Sequence, residues 1–246
     1  MKKLLCTAVT ILLVSLSSFA HAEGQSSWYF ISEGKCERPR LPVVENDSAK
    51  GIGRAEKVLY LTFDAGYENG NVEKIVDILE ENEVTGAFFV LRHFVEENTA
   101  LCKRIKENGN LVCNHTSRHP PITSLTSQQL KSELEELETV YKSLTGYDLD
   151  PYFRPPEGVW NEQALNWVED CGYKTVFWSL AWADWDNANQ RSPEYAMDKL
   201  LTRVHDGAVI LLHPTSKTNT EILDEFIHKM KEAGYRFGTL EELWSE

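Results

Sequence analysis

Cysteine is scarce in this chain, five in 246 residues, and no two form a CxxC pair, which excludes zinc-finger and thioredoxin chemistry. Clusters of basic residues are missing too. With 25 Lys+Arg against 38 Asp+Glu the net charge is −13, so a phosphate backbone meets a repelling surface and no nucleic-acid partner is expected. No GxGxxG or Walker A pattern follows any apolar run, which removes the usual nucleotide sites of α/β sheets. No internal repeat is visible, and beyond the N-terminal segment no apolar stretch is long enough to span a bilayer. What remains is 42% hydrophobic and 26% charged, an ordinary globular composition that excludes collagenous, low-complexity and wholly disordered chains. One domain is expected.

Residues 1–22 differ from the rest: Lys2 and Lys3, an apolar run from Leu4 to Leu16, then Ala20-His21-Ala22. The run is shorter than the ~20 residues of a spanning helix and ends in a small-x-small site, so it reads as a secretory signal peptide cleaved after Ala22, and the protein as exported. Removal would leave 23 Lys+Arg against 38 Asp+Glu, a net charge of −15. Cys6 would leave with it. Cys36, Cys102, Cys113 and Cys171 are too few for a disulfide framework in a domain of this size. Cys113 and Cys171, in apolar surroundings, read as small buried hydrophobes, and no essential bridge is expected.

Residues 23–56 carry Pro39 and Pro42 and little periodicity, and read as an irregular arm that Trp28, Tyr29 and Phe30 pin to the domain by packing. From 57 to 246 short apolar runs alternate with helical stretches. Strands are predicted at Val58–Phe63, Val84–Val90, Leu111–Cys113, Tyr152–Arg154, Lys174–Ser179, Ala208–His213 and Arg236–Gly238. Helices are predicted at Asn71–Glu81, Asn98–Glu107, Ser127–Leu144, Asn161–Asp170, Glu194–Val204, Glu221–Ala233 and Leu240–Trp244. Strands apolar throughout imply burial on both faces, as βαβ crossovers produce. The fold class is therefore α/β, a parallel, distorted or incomplete (β/α) barrel of about seven strands, with an open doubly wound sheet as the competitor.

In such folds the site gathers at the carboxyl ends of the strands. Asp64, the pair His115 and His119, Arg154, Asp184 with Trp185, and His213 all fall there. A lone His after an apolar strand is more often a satisfied core residue. Five such places on one rim point instead to a site.

Taken in order, Asp64-Ala65-Gly66, His115-x-x-x-His119, Arg154-Pro155-Pro156-Glu157-Gly158, Asp184-Trp185 and Leu211-Leu212-His213 resemble the five motifs of the polysaccharide deacetylases, the NodB homology domain of carbohydrate esterase family four. The resemblance runs from about Val58 to the C-terminus. Within the family, Thr62 to Gly70 together with Thr175-Val176-Phe177-Trp178-Ser179 looks most like the muramic acid deacetylases of spore cortex peptidoglycan, whose product closes into a delta-lactam. The resemblance implies Asp64 as general base, His213 as general acid, Arg154 as partner of Asp64 and Asp184 as the group orienting His213. His115 and His119 would hold a divalent cation, zinc by resemblance. Trp185 and Pro155 would wall the substrate pocket, and Lys217, on the loop after His213, or Arg118 would meet the lactyl carboxylate.

Two positions depart from the family pattern. A second Asp normally completes the metal triad, and here Ala65 stands there; Glu68 is the candidate substitute and weak metal binding is expected. An acidic residue three before Asp184 is replaced by Ala181. The implied function is an exported, monomeric peptidoglycan deacetylase acting on muramic acid after an N-acetylmuramoyl-L-alanine amidase has stripped the peptide, in the cell wall or spore cortex. The alternatives are a deacetylase of N-acetylglucosamine or chitin oligomers, a glycan-binding domain that has lost hydrolysis, and a glycosidase, which would leave both histidines unexplained.

Overall fold

The computed structural model describes residues 24–32 and 34–245; the expected signal peptide lies outside the described residues. The arm contributes β1 (Ser26–Ser27) and β2 (Ala49–Lys50), and the domain proper follows with β3 (Val58–Ala65), α1 (Val72–Glu81), β4 (Gly86–Val90), α2 (Arg92–Glu97), α3 (Thr99–Glu107) and β5 (Leu111–Asn114). Next come α4 (Ser127–Thr145), β6 (Asp150–Phe153), β7 (Val159–Trp160), α5 (Glu162–Asp170), β8 (Lys174–Val176) and β9 (Leu180–Ala181). The chain closes with α6 (Pro193–Arg203), β10 (Val209–Leu212), α7 (Lys217–Glu232), β11 (Arg236–Phe237) and α8 (Leu240–Trp244).

The main sheet runs β2-β8-β6-β5-β4-β3-β10-β9, with β11 joined to β3, and every pairing in it is parallel. It curls into an incomplete barrel, the expected class. Of the predicted strand Lys174–Ser179 only Lys174–Val176 is strand: β8 pairs with β6 and β2, the chain bends at Ser179, and β9, just beyond the predicted end, pairs with β10. That switch, with an antiparallel bridge between Ile52 and Ala208, draws the two ends of the sheet together. The arm is therefore not merely pinned to the domain. β2 is a strand of the barrel, and of the three aromatics proposed as anchors Trp28 alone is buried, with Tyr29 exposed.

Helix boundaries follow local chemistry. The α4 segment opens with a Thr126/Gln129 capping box and stops at Gly146, φ +85°, a left-handed position that suits glycine. Ser192 caps α6 and Ser216 caps α7, so α7 begins one turn before the predicted Glu221. Burial of Val72, Ile75, Val76 and Leu79 in α1 is the helical period that lays one face on the sheet.

Alternation along the strands sorts side chains into two layers. On β3, Leu59, Leu61, Phe63 and Ala65 join the helix-side cluster, whereas Val58 and Tyr60 point into the barrel with Ala87, Phe89, Cys113, Tyr152, Val176 and Val209. Leu240 and Leu243 of α8 complete that inner cluster, and the Trp244 ring lies 5.7 Å from Tyr152, so the amino end of the barrel is plugged. Cys36, Cys102, Cys113 and Cys171 are free thiols; Cys113 is buried as expected, and Cys171 is half-buried.

Candidate active site

The inward-facing rows that build the plug also build the site, two or four residues further along each strand. Tyr60 leads through Thr62 to Asp64, Cys113 to His115, Tyr152 to Arg154, Val176 to Trp178 and Leu211 to His213. Asp64, His115, Trp178 and His213 all line one cavity of about 610 Å³ at the carboxyl end of the barrel, and Arg154 lies beneath them, fully buried.

A buried guanidinium needs its donors satisfied and its charge paired. Arg154 Nη1 donates to Asp64 Oδ1 at 2.7 Å, Nη2 to Thr62 Oγ1 at 2.8 Å and to the Phe177 carbonyl at 3.4 Å, and Nε to the Val176 carbonyl at 3.0 Å. The Phe89 ring covers it at 4.2 Å. Burial alone would push the Asp64 carboxyl up, but the charges of Arg154, His115 and His213 outweigh it and hold Asp64 below the usual carboxylate range, so it is an ionised proton acceptor at neutral pH.

Across the cavity, His213 Nδ1 meets Asp184 Oδ1 at 2.7 Å, and the His213 backbone N–H donates to Asp184 Oδ2 at 2.8 Å. Asn219 Nδ2 donates to Asp184 Oδ2 at 2.7 Å and to the His213 carbonyl at 3.0 Å. Burial disfavours the imidazolium, but the Asp184 hydrogen bond and charge, aided by Asp64, win and raise the His213 pKa. The Asp184 bond occupies Nδ1 and leaves Nε2 as the ring's other proton-bearing atom. Trp185, largely exposed, stands edge-on to His213 at 6.4 Å between ring centres.

The Arg154 carbonyl accepts from His115 Nδ1–H at 2.8 Å, and Nε2 stands 3.8 Å from Asp64 Oδ2. Burial pushes the His115 pKa down to about 4, so this imidazole is neutral near pH 7. Thr116 (φ +70°) and His119 (φ +63°) are both left-handed, and the Thr116 hydroxyl accepts from the His119 N–H at 2.9 Å. This turn brings the two imidazoles to 4.9 Å, nearly perpendicular.

Two imidazoles are not a complete cation site. Ala65 is fully buried in the helix-side apolar cluster, and Glu68, the proposed substitute, is engaged elsewhere: its carboxylate accepts from the Gly70 N–H at 2.5 Å and the Val72 N–H at 3.0 Å, capping α1. Among the described residues no three His, Cys, Asp or Glu side chains come together as metal ligands. The expected divalent cation therefore lacks a third protein ligand here.

Three expected substrate contacts also fall away from the cavity. Lys217 is the first residue of α7, exposed and paired with Glu221 at 3.3 Å; Arg118 is held by Glu133 and Glu136, each at 2.5 Å; and Pro155 is buried in the turn, where its carbonyl accepts from the Gly158 N–H. The turn instead offers Glu157 and Gly158 to the cavity, and Tyr67, Leu91 and Thr215 line it too. Sequence reasoning missed these and Asn219. Strand alternation was a usable signal for Leu91 and Trp178; no signal marked Asn219.

The sequence profile of the polysaccharide deacetylases matches residues 52–176. The peptidoglycan-N-acetylmuramic acid deacetylase PdaA of Bacillus subtilis is 44% identical over 206 residues, covering 83% of this chain and 78% of its own. The solved structure of that family 4 carbohydrate esterase superposes with a TM-score of 0.85 at 38% identity, covering 89% of this chain and 96% of that one. A family 4 pseudoenzyme from Bacillus anthracis superposes with a TM-score of 0.73 at 28% identity, covering 79% of this chain and 68% of that one.

Proposed function

Because the chain belongs to the polysaccharide deacetylase family, carbohydrate esterase family 4, and is thus an amide-bond hydrolase, we propose that it removes the N-acetyl group of muramic acid in peptidoglycan freed of its peptide. The observation that carries the reading is the pairing of a charge-held carboxylate, Asp64 on Arg154, with an imidazole, His213, hydrogen-bonded to Asp184, on one cavity. Asp64 takes a proton from water as its oxygen attacks the acetamide carbon. The carbon–nitrogen bond then breaks, His213 Nε2–H protonates the leaving amine, and acetate departs. The freed amine stands beside the lactyl carboxylate, with which it can close a lactam.

This reading includes export by the N-terminal segment, action in the cell wall or spore cortex as a monomer, and a preceding amidase. Family 4 esterases are generally metal-dependent. His115 and His119 would offer two ligands to zinc, fewer than the three protein ligands of a catalytic zinc site, and the proton steps above are assigned to Asp64 and His213 alone.

One observation favours N-acetylglucosamine as the substrate: among the described residues no lysine or arginine lines the cavity to meet a lactyl carboxylate, whereas Glu157 does line it. Mature protein incubated with peptidoglycan, with and without amidase treatment, decides by mass spectrometry of the sugars. Deacetylated muramic acid appearing after amidase treatment supports the proposal; deacetylation of glucosamine alone selects the alternative; no acetate in any sample leaves a lapsed, glycan-binding domain like the pseudoenzyme.

A further inference from the structure

Most of the arm, Trp28 included, lies ahead of the region matched by the family profile, which starts at residue 52, yet it reaches the cavity wall. β1 pairs antiparallel with β7, Ser26 opposite Trp160 and Ser27 opposite Val159. The next residue, Trp28, donates its backbone N–H to the Gly158 carbonyl and its indole Nε1–H to the Trp178 carbonyl, both at 2.7 Å. Its ring lies flat on Phe177, 3.9 Å between centres and 8° from parallel.

The parts so held are unusual. Glu157 (φ +56°) and Gly158 (φ +64°) are consecutive left-handed residues, a conformation that a glutamate adopts only where its surroundings impose it. Gly158 has no room for a side chain: a Cβ would stand 2.7 Å from the Trp178 ring and 3.1 Å from Trp28 Cβ. Glu157, Gly158 and Trp178 all line the cavity.

We infer that Trp28 is a positioning residue, which holds the Glu157–Trp178 wall of the cavity in the shape that binds glycan. The inference rests on the reading of this cavity as a glycan site. The reacting groups touch Trp28 only through Phe177, whose carbonyl accepts the longest of the Arg154 bonds, at 3.4 Å. Without Trp28, Arg154 keeps its bonds to Asp64, Thr62 and the Val176 carbonyl, and His213 its bonds to Asp184. Loss of Trp28 therefore acts on sugar binding rather than on the chemical step.

The test compares wild type, Trp28→Ala and Trp28→Phe, all checked for folding by circular dichroism. Phe keeps the stack on Phe177 and loses the indole bond, so it also serves should Ala fail to fold. Each is assayed on a peptide-free glycan oligomer and on an aryl acetamide that fills only the acetyl and amine positions, and glycan affinity is measured by calorimetry. The expected result is a glycan KM and Kd raised about tenfold or more in Trp28→Ala and less in Trp28→Phe, with kcat within about twofold and the aryl acetamide unaffected. Unchanged glycan affinity in a folded variant overturns the inference, as does an equal loss on both substrates, which is the mark of general destabilisation. A wild type without measurable glycan affinity overturns it too. Wild type that binds glycan but releases no acetate removes the hydrolase reading while the affinities still decide the role of Trp28.

Discussion

The two ends of the barrel interior are built by the same strands at the same inward positions, and they differ completely. At the amino end Val58, Tyr60 and Tyr152 meet Leu240 and Leu243 of α8 and form core. At the carboxyl end Asp64, His115 and His213 stand around an open cavity, with Arg154 buried between the two layers. Strand geometry is indifferent to which residue occupies an inward slot. The difference comes from what closes each end: a helix with an apolar face at one, and loops that leave the cavity open at the other. Strength of packing and chemical function are thus separated along one axis and can be disturbed separately.

The largest effect expected from breaking this division is on activity. Asp64→Asn removes the base while Asn Oδ1 can still accept the Arg154 bond, so acetate release falls at least about 10²-fold with the fold retained, as assay and circular dichroism together would record. At the opposite end, Leu243→Ala removes buried apolar volume from the plug. A stability loss of about 2–5 kcal/mol is expected in denaturant unfolding, with kcat/KM unchanged wherever the variant remains folded.

A smaller effect separates the ends by pH. The His115 pKa is pushed from 6.5 to about 4 by burial, so between these values the unfolded chain binds a proton that the folded one refuses. Stability therefore falls as pH drops from about 6.5 to about 4, by about 3 kcal/mol in all at 1.36 kcal/mol per unit. His115→Gln should flatten that part of the curve, whereas Leu243→Ala should shift the whole curve without changing its slope.

Legibility in the sequence followed the same axis. The succession of strands along the chain, the parallel class and the five site-bearing strand ends could be read because each depends on a short local pattern: an apolar run, then a polar residue. Asp64, Arg154, Asp184 and His213 were found this way, and the structure places each beside its expected partner. What the pattern could not carry was competition for a side chain. Glu68 and Arg118 were plausible ligands by type, but each is occupied by a neighbour, the start of α1 for one and the acids of α4 for the other. Lys217 was misplaced because Ser216 caps a helix one turn earlier than the apolar period shows. The arm's entry into the sheet, and the partner change between β8 and β9, depend on contacts between residues far apart in the chain.

The most direct test is the pH dependence of kcat/KM for acetate release, measured beside Asp184→Asn. Asp64 is held below its ordinary 3.8 by Arg154 and its neighbours, and His213 is raised above 6.5 by Asp184. The account therefore predicts a bell with an acid limb below 3.8 and a basic limb above 6.5, and in Asp184→Asn a basic limb moved to lower pH with the acid limb in place. A rate that keeps rising through the basic range, or a basic limb that Asp184→Asn leaves where it was, would contradict the assignment of base and acid to Asp64 and His213.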